Sequence, residues 1–568
     1  MLKQNGIKKV IASPGTTNIT IVGSMQSDPY FEIYSAPDER SAAYMACGLA
    51  AECDEPVMLT CTGATASRNY IPGLTEAYYR KLPILAVTTS LGAHRVGSHA
   101  QQTLDRSSIQ KDIAVYSTCV PLIKDNNDAW DAIIKINKAL HALFTHGGGP
   151  VHLEMGITEN LDFSIRELPM ARSIKFFTQE DELPQIPKGK IAIYLGSHLQ
   201  WKNEDINLIE NFCSNYDAVV LGDHTSNYNG KYFVNCALCG HQQEINKELI
   251  PDLCIYLGEV SPDYPGQSFF AYAKKQWRVS LDGVIRDMFK NTVAVFEMSE
   301  HYFFKYYSTE NTYDKHNYID KFKADYNSIF AKIQDLPFSN IWIAQQLAPQ
   351  MPSGCVMHFG ILNSIRSWNL FELDNSIRCY CNSGGFGIDG ALSSVIGASL
   401  GDFDKTYYLV VGDLAFFYDI NALGNRHVGK NVRILLVNNG CGTEFKNYSH
   451  PASTFGEEAN YYIAAGGHYG SQSRYLVRHY AEDLGIKYLS ASTKEEFLDT
   501  YKDFITEKNN QSIIFEVFTN SKEESEALYR INHLVESSLK TKIKRNVKGL
   551  IGTELTNKIK NIVENKMT

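Results

Sequence analysis

An acidic and an amide side chain follow two neighbouring apolar runs in the first part of the last third of the chain. Asp413 follows the run 408–411 after one glycine, and Asn439 follows the run 432–437 after one other asparagine. With a backbone carbonyl from the turn at Cys441, they make an oxygen-ligand set of mixed charge, which suits Mg²⁺ carrying a bound phosphate. The alternative is that both residues only form turns, since Asp and Asn are common there.

The elements that must position these residues form one βαβ unit. The two apolar runs are predicted strands, and a helix is predicted from about 416 to 423. Ligands of open parallel sheets bind at the carboxyl ends of the strands, where Asp413 and Asn439 are expected. The loop amides and the helix start beyond Asp413 suit a phosphate group.

Alternating strand and helix patterns along the rest of the chain predict three consecutive parallel-sheet α/β domains. Strands are predicted at 9–12, 32–35, 57–61, 82–89, 151–155, 191–195 and 254–257. The predicted organisation is a first domain at 1–165, a linker at 166–189, a central domain at 190–335, a last domain at 338–520 and a charged tail at 521–568.

Composition places the chain among ordinary globular proteins. Of 568 residues, 44% are hydrophobic and 21% are charged, so a large core can form. The net charge of -9 argues against a nucleic-acid partner held by electrostatics. Twelve scattered cysteines indicate reduced thiols in a cytoplasmic protein, with Cys61 and Cys441 as small buried residues. Neither a signal region nor a membrane span is predicted.

The pairing of Gly412-Asp413-Leu414 with Asn438-Asn439, separated by 23 residues, resembles the signature of enzymes that use thiamine diphosphate and magnesium. The resemblance implies that Asp413, Asn439 and the Cys441 carbonyl hold Mg²⁺ on the cofactor's diphosphate.

A second match lies near the start of the chain. Glu39 stands between a predicted strand and an alanine-rich helix, in a run that resembles the pyrimidine-binding domain of the same enzymes. The resemblance implies that Glu39 bonds the aminopyrimidine and favours the tautomer that deprotonates the thiazolium carbon. It also implies that Gln102 faces the reacting carbon. The alternatives are a plain helix-start acid at Glu39 and, for His94 and His99, surface loop histidines rather than proton carriers.

Loops in the last domain resemble one branch of these enzymes, the 2-succinyl-5-enolpyruvyl-6-hydroxy-3-cyclohexene-1-carboxylate synthases of menaquinone biosynthesis. The motifs on which this resemblance rests are Asn-Ser at 363–364, Gly-Ile-Asp-Gly at 387–390 and Gly-Asp-Leu at 412–414. The resemblance implies that Ile388 bends the cofactor into its reactive shape. The implied cofactor-binding residues are Asn363, Ser364, Gly387, Ile388, Gly412, Leu414, Ala415 and Asn439.

The chain departs from that branch where the acceptor substrate would bind. Thr17, Leu91 and Ser383 stand where the branch has arginines that hold carboxylates. Losing bidentate guanidinium groups is not a conservative change. The cofactor machinery is therefore expected to be retained with a rebuilt acceptor site. The candidate substrate residues are Thr16, Thr17, His99 and Ser383, and the arginines that could compensate are Arg68, Arg95, Arg106 and Arg366.

The resemblance implies decarboxylation of a 2-oxo acid and transfer of the acyl-anion equivalent to an acceptor, with C–C bond formation. The alternatives are a simple 2-oxo acid decarboxylase that releases an aldehyde and a non-catalytic regulatory subunit that binds the cofactor. Because Glu39 and Asp413 come from different subunits in such enzymes, a dimer or tetramer is expected. The basic part of the tail, 540–568, has Ile559, Ile562 and Val563 on one face. It predicts a solvated or docked helix, and the alternative is a membrane-surface or partner contact.

Overall fold

The computed structural model describes residues 1–106, 109–158, 162–308, 316–506 and 510–535. The chain divides into two compact units. The first comprises Met1–Leu183 and Leu281–Met298, and the second comprises Pro184–Ser280 and the chain from Ser299 onward. Within the described ranges, no helix is long and apolar enough to cross a membrane. The basic tail and its apolar face lie outside the described residues.

The first unit opens with a six-stranded parallel sheet. Its strands are β1 (Lys9–Ala12), β2 (Glu32–Ser35), β3 (Val57–Cys61), β4 (Ile84–Ser90), β5 (Tyr116–Val120) and β6 (Val151–Gly156), in the order β2-β1-β3-β4-β6-β5. Its helices are α1 (Ile19–Ser27), α2 (Glu39–Cys53), α3 (Ala64–Asn69), α4 (Ile71–Arg80) and α5 (Asn126–Ala142). Because crossover helices cover both faces of a parallel sheet, β3 and β4 are buried along their whole length.

Seven further strands follow in the chain. They are β7 (Lys175–Thr178), β8 (Ile191–Leu195), β9 (Ala218–Gly222), β10 (Phe233–Asn235), β11 (Leu253–Leu257), β12 (Lys275–Ser280) and β13 (Thr292–Glu297). In the first unit, β13 pairs in parallel with β7. In the second unit, five strands run in the order β10-β9-β8-β11-β12, so the strand order reverses between β8 and β11.

The helices of this part of the second unit follow the same chain order. They are α6 (Asn203–Tyr216), α7 (Ala237–Gly240), α8 (Ser268–Ala271), α9 (Glu300–Tyr306) and α10 (Asn317–Phe330).

The last sheet lies wholly in the second unit. Its strands are β14 (Val356–Phe359), β15 (Arg378–Cys381), β16 (Tyr407–Gly412), β17 (Val432–Asn438), β18 (Lys487–Ala491) and β19 (Ile513–Phe518), in the order β15-β14-β16-β17-β19-β18. Its helices are α11 (Asn340–Leu347), α12 (Asn363–Asn369), α13 (Ala391–Ser399), α14 (Asp413–Tyr418), α15 (Ala459–Tyr462), α16 (Leu476–Asp483), α17 (Lys494–Ile505) and α18 (Ser521–Asn532). β16 and β17 lie at its centre, so their carboxyl ends stand in the middle of one sheet edge.

The predicted fold class, parallel-sheet α/β domains in succession, is confirmed. β1, β2, β3 and β8 have the predicted bounds. The two compact units do not separate the predicted domains, and the predicted linker at 166–189 contains β7, so the domain boundaries stay a prediction. All twelve cysteines are free thiols, as predicted.

Candidate functional site

Asp413 stands at the carboxyl edge of the last sheet. The register of β16 and β17 aligns Gly412 with Val437, which brings the ends of the two strands side by side. The helix prediction of 416–423 is wrong in its bounds, because α14 begins at Asp413 itself and ends at Tyr418. Gly412 leaves the strand in an extended conformation, so the chain enters the helix without an intervening loop.

The Asp413 carboxylate is 5% exposed. Its Oδ1 accepts the Leu414 N–H at 2.8 Å, and its Oδ2 accepts the Gly440 N–H at 2.6 Å. Burial raises the pKa of Asp413 to about 6, although these N–H groups act in the opposite direction. A nearby cation would restore the charged carboxylate.

There is also room for an ion or phosphate at this edge. A Cβ built on Gly412 meets no atom within 4 Å. Among the described residues, no group of three or more His, Cys, Asp or Glu forms a metal site. The predicted ligand set is of another kind, with one carboxylate, one amide and one carbonyl. The donor types and the open space therefore fit Mg²⁺ on a diphosphate.

The two asparagines after β17 have different partners. The Asn438 amide is buried and donates to Glu516 Oε1 at 2.7 Å, while the Asn438 carbonyl accepts from Gln472 Nε2 at 2.8 Å. Asn439 is half-buried, and its Oδ1 accepts the Cys441 N–H at 3.4 Å, a long hydrogen bond. Hydrogen bonds therefore hold Asn438 in the interior, whereas the side-chain oxygen of Asn439 can still coordinate a cation.

Two buried glutamates support this edge, and sequence reasoning missed both. Burial raises the pKa of Glu516, whose Oε2 accepts from the Tyr488 hydroxyl at 2.8 Å. Burial raises the pKa of Glu524 to about 7, and both of its oxygens accept the Asn340 N–H at 3.0 Å. One local signal was available for Glu516, since it is the single charged residue in the apolar strand β19.

The first cofactor loop, which follows β14, lies at the same edge of the last sheet and is held by hydrogen bonds to another loop. Asn363 begins α12 after Leu362, which has a positive φ of 67°, and Ser364 is buried. In the amide orientation that satisfies both partners, Asn363 donates to Glu444 Oε2 at 3.0 Å and accepts the Glu444 N–H at 3.1 Å. A cavity of about 380 Å³ lies beside this loop and is lined by Asn363, Glu444 and Arg366.

The remaining predicted residues of the last sheet lie on its loops. Ile388 and Ala415 pack on the core cluster beneath the sheet edge. Ser383 is buried, with its hydroxyl 3.4 Å from that of Ser197. Leu414 is half-buried, and Gly387 lies in the loop before Ile388. The structure thus brings Asp413, Asn439 and Cys441 together by strand register, while the roles assigned to the individual loop residues stay predictions.

Glu39 is the first residue of α2 in the first unit. Asp38 caps this helix by accepting the Ser41 N–H at 3.1 Å, so the helix begins at Glu39. Glu39 is half-buried, and its Oε2 accepts from the Asn69 amide at 3.1 Å. It therefore lies on the carboxyl side of β2, partly open to solvent.

Gln102 and His99 lie on an exposed loop after β4. Both have a positive φ, 57° for Gln102 and 60° for His99. Non-glycine residues rarely adopt this conformation unless a turn demands it. Their predicted roles at the reacting carbon remain predictions.

Three threonine hydroxyls meet at the carboxyl edge of the first sheet. Thr17 contacts Thr62 and, at 2.6 Å, Thr89. Thr16 is exposed beside it. Thr17, which stands where the branch that this chain resembles has an arginine, is therefore part of a cluster of hydroxyl groups.

A buried ion pair lies under the same edge and was not predicted. Arg106 Nη2 donates to Glu154 Oε1 at 2.8 Å and to the Thr89 carbonyl at 3.0 Å. Burial opposes the charged form of Glu154, but Arg106 outweighs it and lowers the pKa of Glu154 overall. Arg106 is therefore already committed to a partner.

Comparison with known proteins agrees with these motifs. Residues 1–109 match the family described as "Thiamine pyrophosphate enzyme, N-terminal TPP binding domain". The chain is 28% identical over 555 residues to the 2-succinyl-5-enolpyruvyl-6-hydroxy-3-cyclohexene-1-carboxylate synthase of Bacteroides fragilis, covering 94% of this chain and 98% of that protein. The protein of the same name from Bacteroides thetaiotaomicron is 29% identical over 565 residues, covering 94% and 97%. The predicted resemblance to thiamine diphosphate-dependent enzymes is confirmed.

Proposed function

We propose, from this resemblance, that the chain is a thiamine diphosphate- and Mg²⁺-dependent enzyme that decarboxylates a 2-oxo acid and transfers the remaining acyl unit to an acceptor, forming a C–C bond. The observation that carries the proposal is the buried Asp413, which follows the aligned strand ends Gly412 and Val437 and so lies at the same edge as Asn439. When bound, thiamine diphosphate supplies the electron sink that decarboxylation requires.

The chain's own residues would divide the work. Asp413, Asn439 and the Cys441 carbonyl would hold the metal, and Ser364 and Ala415 would lie at the diphosphate. Glu39 would hold a proton shared with the aminopyrimidine, and Gln102 would orient the substrate. Buried Glu516 would act through Asn438, which it fixes in place at 2.7 Å.

The test begins with calorimetry of thiamine diphosphate binding with Mg²⁺ and with a chelator. A screen of 2-oxo acids for carbon dioxide release then identifies the donor. Tight binding that requires Mg²⁺, followed by turnover of at least one 2-oxo acid, is expected. Binding without turnover of any donor would instead indicate a regulatory subunit, and aldehyde release in the presence of every acceptor would indicate a simple decarboxylase.

The proposal includes an acceptor with fewer carboxylates than isochorismate. Thr17 belongs to a hydroxyl cluster, Arg106 pairs with Glu154, and Arg366 Nη1 pairs with Glu444 at 2.9 Å. Each lost charge-assisted bond to a carboxylate costs about 1.5–3 kcal/mol. Incubation with 2-oxoglutarate and isochorismate should therefore yield no cyclohexene product by mass spectrometry, and efficient formation of that product would overturn this part of the proposal.

The proposal also includes self-association to a dimer or tetramer, in which Glu39 and Asp413 of different subunits serve one site. Tyr44 and Met45 on α2, the helix that Glu39 begins, are 48% and 47% exposed, which supports a covering partner. Co-expression of Glu39→Gln and Asp413→Ala subunits should restore activity that neither variant has alone. A monomer by analytical ultracentrifugation would contradict this arrangement.

A further inference from the structure

Helix α12, which begins with the predicted cofactor-binding residues Asn363 and Ser364, is too short to hold its own position. It has seven residues, and isolated helices of fewer than about 12 residues are marginal in water. The turn before it is strained, because Leu362 has a φ of 67° and a ψ of -119°, which non-glycine residues seldom adopt. Contacts with other segments must therefore fix this helix and the two residues at its start.

His224 contacts the carboxyl-terminal end of α12. It lies in the loop after β9, and its Nε2 is 3.2 Å from the Trp368 carbonyl oxygen and 2.9 Å from the Phe371 carbonyl oxygen. Because carbonyl oxygens only accept, His224 carries a proton on Nε2 and donates it to both. Burial lowers the pKa of His224, which favours the neutral ring with this one N–H. A single imidazole thus bonds two carbonyl groups at a helix end, where such groups need partners from outside the helix.

Asn369, the last residue of α12, extends the connection to Asp263. Its Oδ1 accepts the His224 backbone N–H at 3.3 Å, and its Nδ2 donates to Asp263 Oδ2 at 3.2 Å. The other oxygen of Asp263 bonds His241 Nε2 at 2.7 Å. Burial opposes the charged form of Asp263, but its partners, first of all His241, outweigh this and lower the pKa of Asp263 overall. Asn369 is 1% exposed, so its amide bonds a charged carboxylate without competition from water.

These partners of α12 come from the strands β8 to β12 of the second unit. His224 follows β9 and Asp263 follows β11, so both lie beyond the carboxyl ends of parallel strands, where ligands usually bind. In this chain that edge binds α12, which belongs to the same unit. Asp223 fixes the loop of His224 in turn, because its carboxylate accepts the Thr225 N–H at 2.7 Å.

We infer that His224 and Asp263 are positioning residues for the proposed cofactor site. By holding the carboxyl-terminal end of α12, they keep Asn363 and Ser364, at the other end of the helix, in place for the diphosphate of the cofactor. Both act through the helix rather than by contact with the cofactor. The inference rests on the proposed function, which places the diphosphate at the start of α12.

Hydrogen–deuterium exchange followed by mass spectrometry, on the full chain without cofactor, tests whether His224 holds the helix. His224→Phe keeps a ring but removes the N–H donor, so the backbone amides of 363–369 should exchange about tenfold faster, the factor for one lost hydrogen bond. His224→Gln, whose amide still donates, should exchange more slowly than His224→Phe. The amides of α17 should be unchanged in both variants, which separates a local effect from a general loss of stability.

Calorimetry of thiamine diphosphate binding with Mg²⁺ tests the consequence for the cofactor. His224→Phe and Asn369→Ala should each raise the Kd about 10–100-fold, as for other residues that orient a ligand through a hydrogen bond. His224→Gln should recover part of the affinity, because it restores the donor without the ring. His198→Phe is the matched control and should leave the Kd unchanged, since His198 lies in the loop after β8 and its Nε2 bonds Glu300.

Two results would overturn the inference. One is unchanged exchange of 363–369 in His224→Phe, and the other is faster exchange with an unchanged Kd. A wild-type protein that binds no thiamine diphosphate would instead overturn the proposed function, and faster exchange in His224→Phe would then assign His224 a structural role only.

Discussion

The carboxyl edges of the first and last sheets each carry predicted site residues, and each edge holds its own residues to a different degree. At the last edge, Asp413 is buried with both oxygens bonded, and buried Glu516 fixes Asn438. At the first edge, Glu39 is partly open to solvent, and Gln102 lies on an exposed loop.

The difference suggests how the work is divided. Binding a metal and a diphosphate needs preorganised groups, and at the last edge backbone N–H groups hold the Asp413 carboxylate in place within one chain. Positioning an aminopyrimidine against Glu39 would depend on what covers the first edge. The last edge should therefore govern affinity, and the first edge should govern chemistry after binding.

The largest effect is expected at the carboxyl edge of the last sheet, where Asp413 lies. Asp413→Ala should abolish detectable thiamine diphosphate binding with Mg²⁺ present, because it removes the one charged ligand of the set. Calorimetry measures the loss, and circular dichroism checks that the fold is intact. The exposed Asp404→Ala is the matched control and should bind normally. Unchanged affinity in Asp413→Ala would show that the last edge does not hold the cofactor.

At the carboxyl edge of the first sheet, a substitution should slow proton exchange on the cofactor without weakening cofactor binding. Glu39→Gln should bind the cofactor yet exchange the thiazolium proton about 10²–10⁴-fold more slowly, the usual size of acid–base contributions. Deuterium exchange followed by NMR measures this rate. Glu52→Gln, exposed near the end of the same helix, should exchange normally. A normal rate in Glu39→Gln would reduce Glu39 to a helix-start acid.

The buried interior of the first sheet should contribute to stability even though the carboxyl edge of that sheet is partly exposed. His152, on β6, accepts or donates hydrogen bonds with Thr88 at 2.9 Å and Ser117 at 3.0 Å. Burial lowers the pKa of His152 from 6.5 to about 4, so the unfolded chain binds a proton between these values that the folded chain does not. Stability should therefore fall as the pH drops from about 6.5 to about 4, by about 3 kcal/mol from this group.

The measurement for His152 is urea unfolding across that pH range, followed as the difference between the wild-type protein and His152→Gln. The glutamine keeps hydrogen-bonding capacity but does not titrate, so the variant should lose less stability on acidification. Parallel curves for the two proteins would mean that His152 takes up its proton in the folded state at the same pH as in the unfolded chain, and would contradict the lowered pKa.

The smallest effect is expected at Glu516, which supports the predicted metal site only through its hydrogen bond to Asn438. Glu516→Gln keeps the size of the side chain but presents one N–H₂ group where two donors, Asn438 and Tyr488, now bond. Metal-dependent cofactor affinity should fall about 10–100-fold, as for other residues that orient a ligand through a hydrogen bond. Calorimetry against the exposed control Glu495→Gln tests this. If both variants bind equally well, preorganisation by Glu516 is not what distinguishes the two edges.

The sequence by itself determined the strands and the main site candidates. Buried parallel strands are apolar runs bounded by glycine, proline or polar residues, which is why β1, β3 and β8 are predicted with their observed bounds. Asp413 and Asn439 followed from where their strands end. These features are local, because a strand and its end depend on neighbouring residues.

Only the tertiary structure decided the environment of those residues. Glu516 reaches Asn438 from 78 positions away, and the raised pKa of Asp413 depends on burial by the whole edge. The start of α14 at Asp413 also escaped prediction, because it depends on how the chain leaves the strand. Burial and long-range hydrogen bonds arise only when distant segments pack together, and no local pattern encodes them.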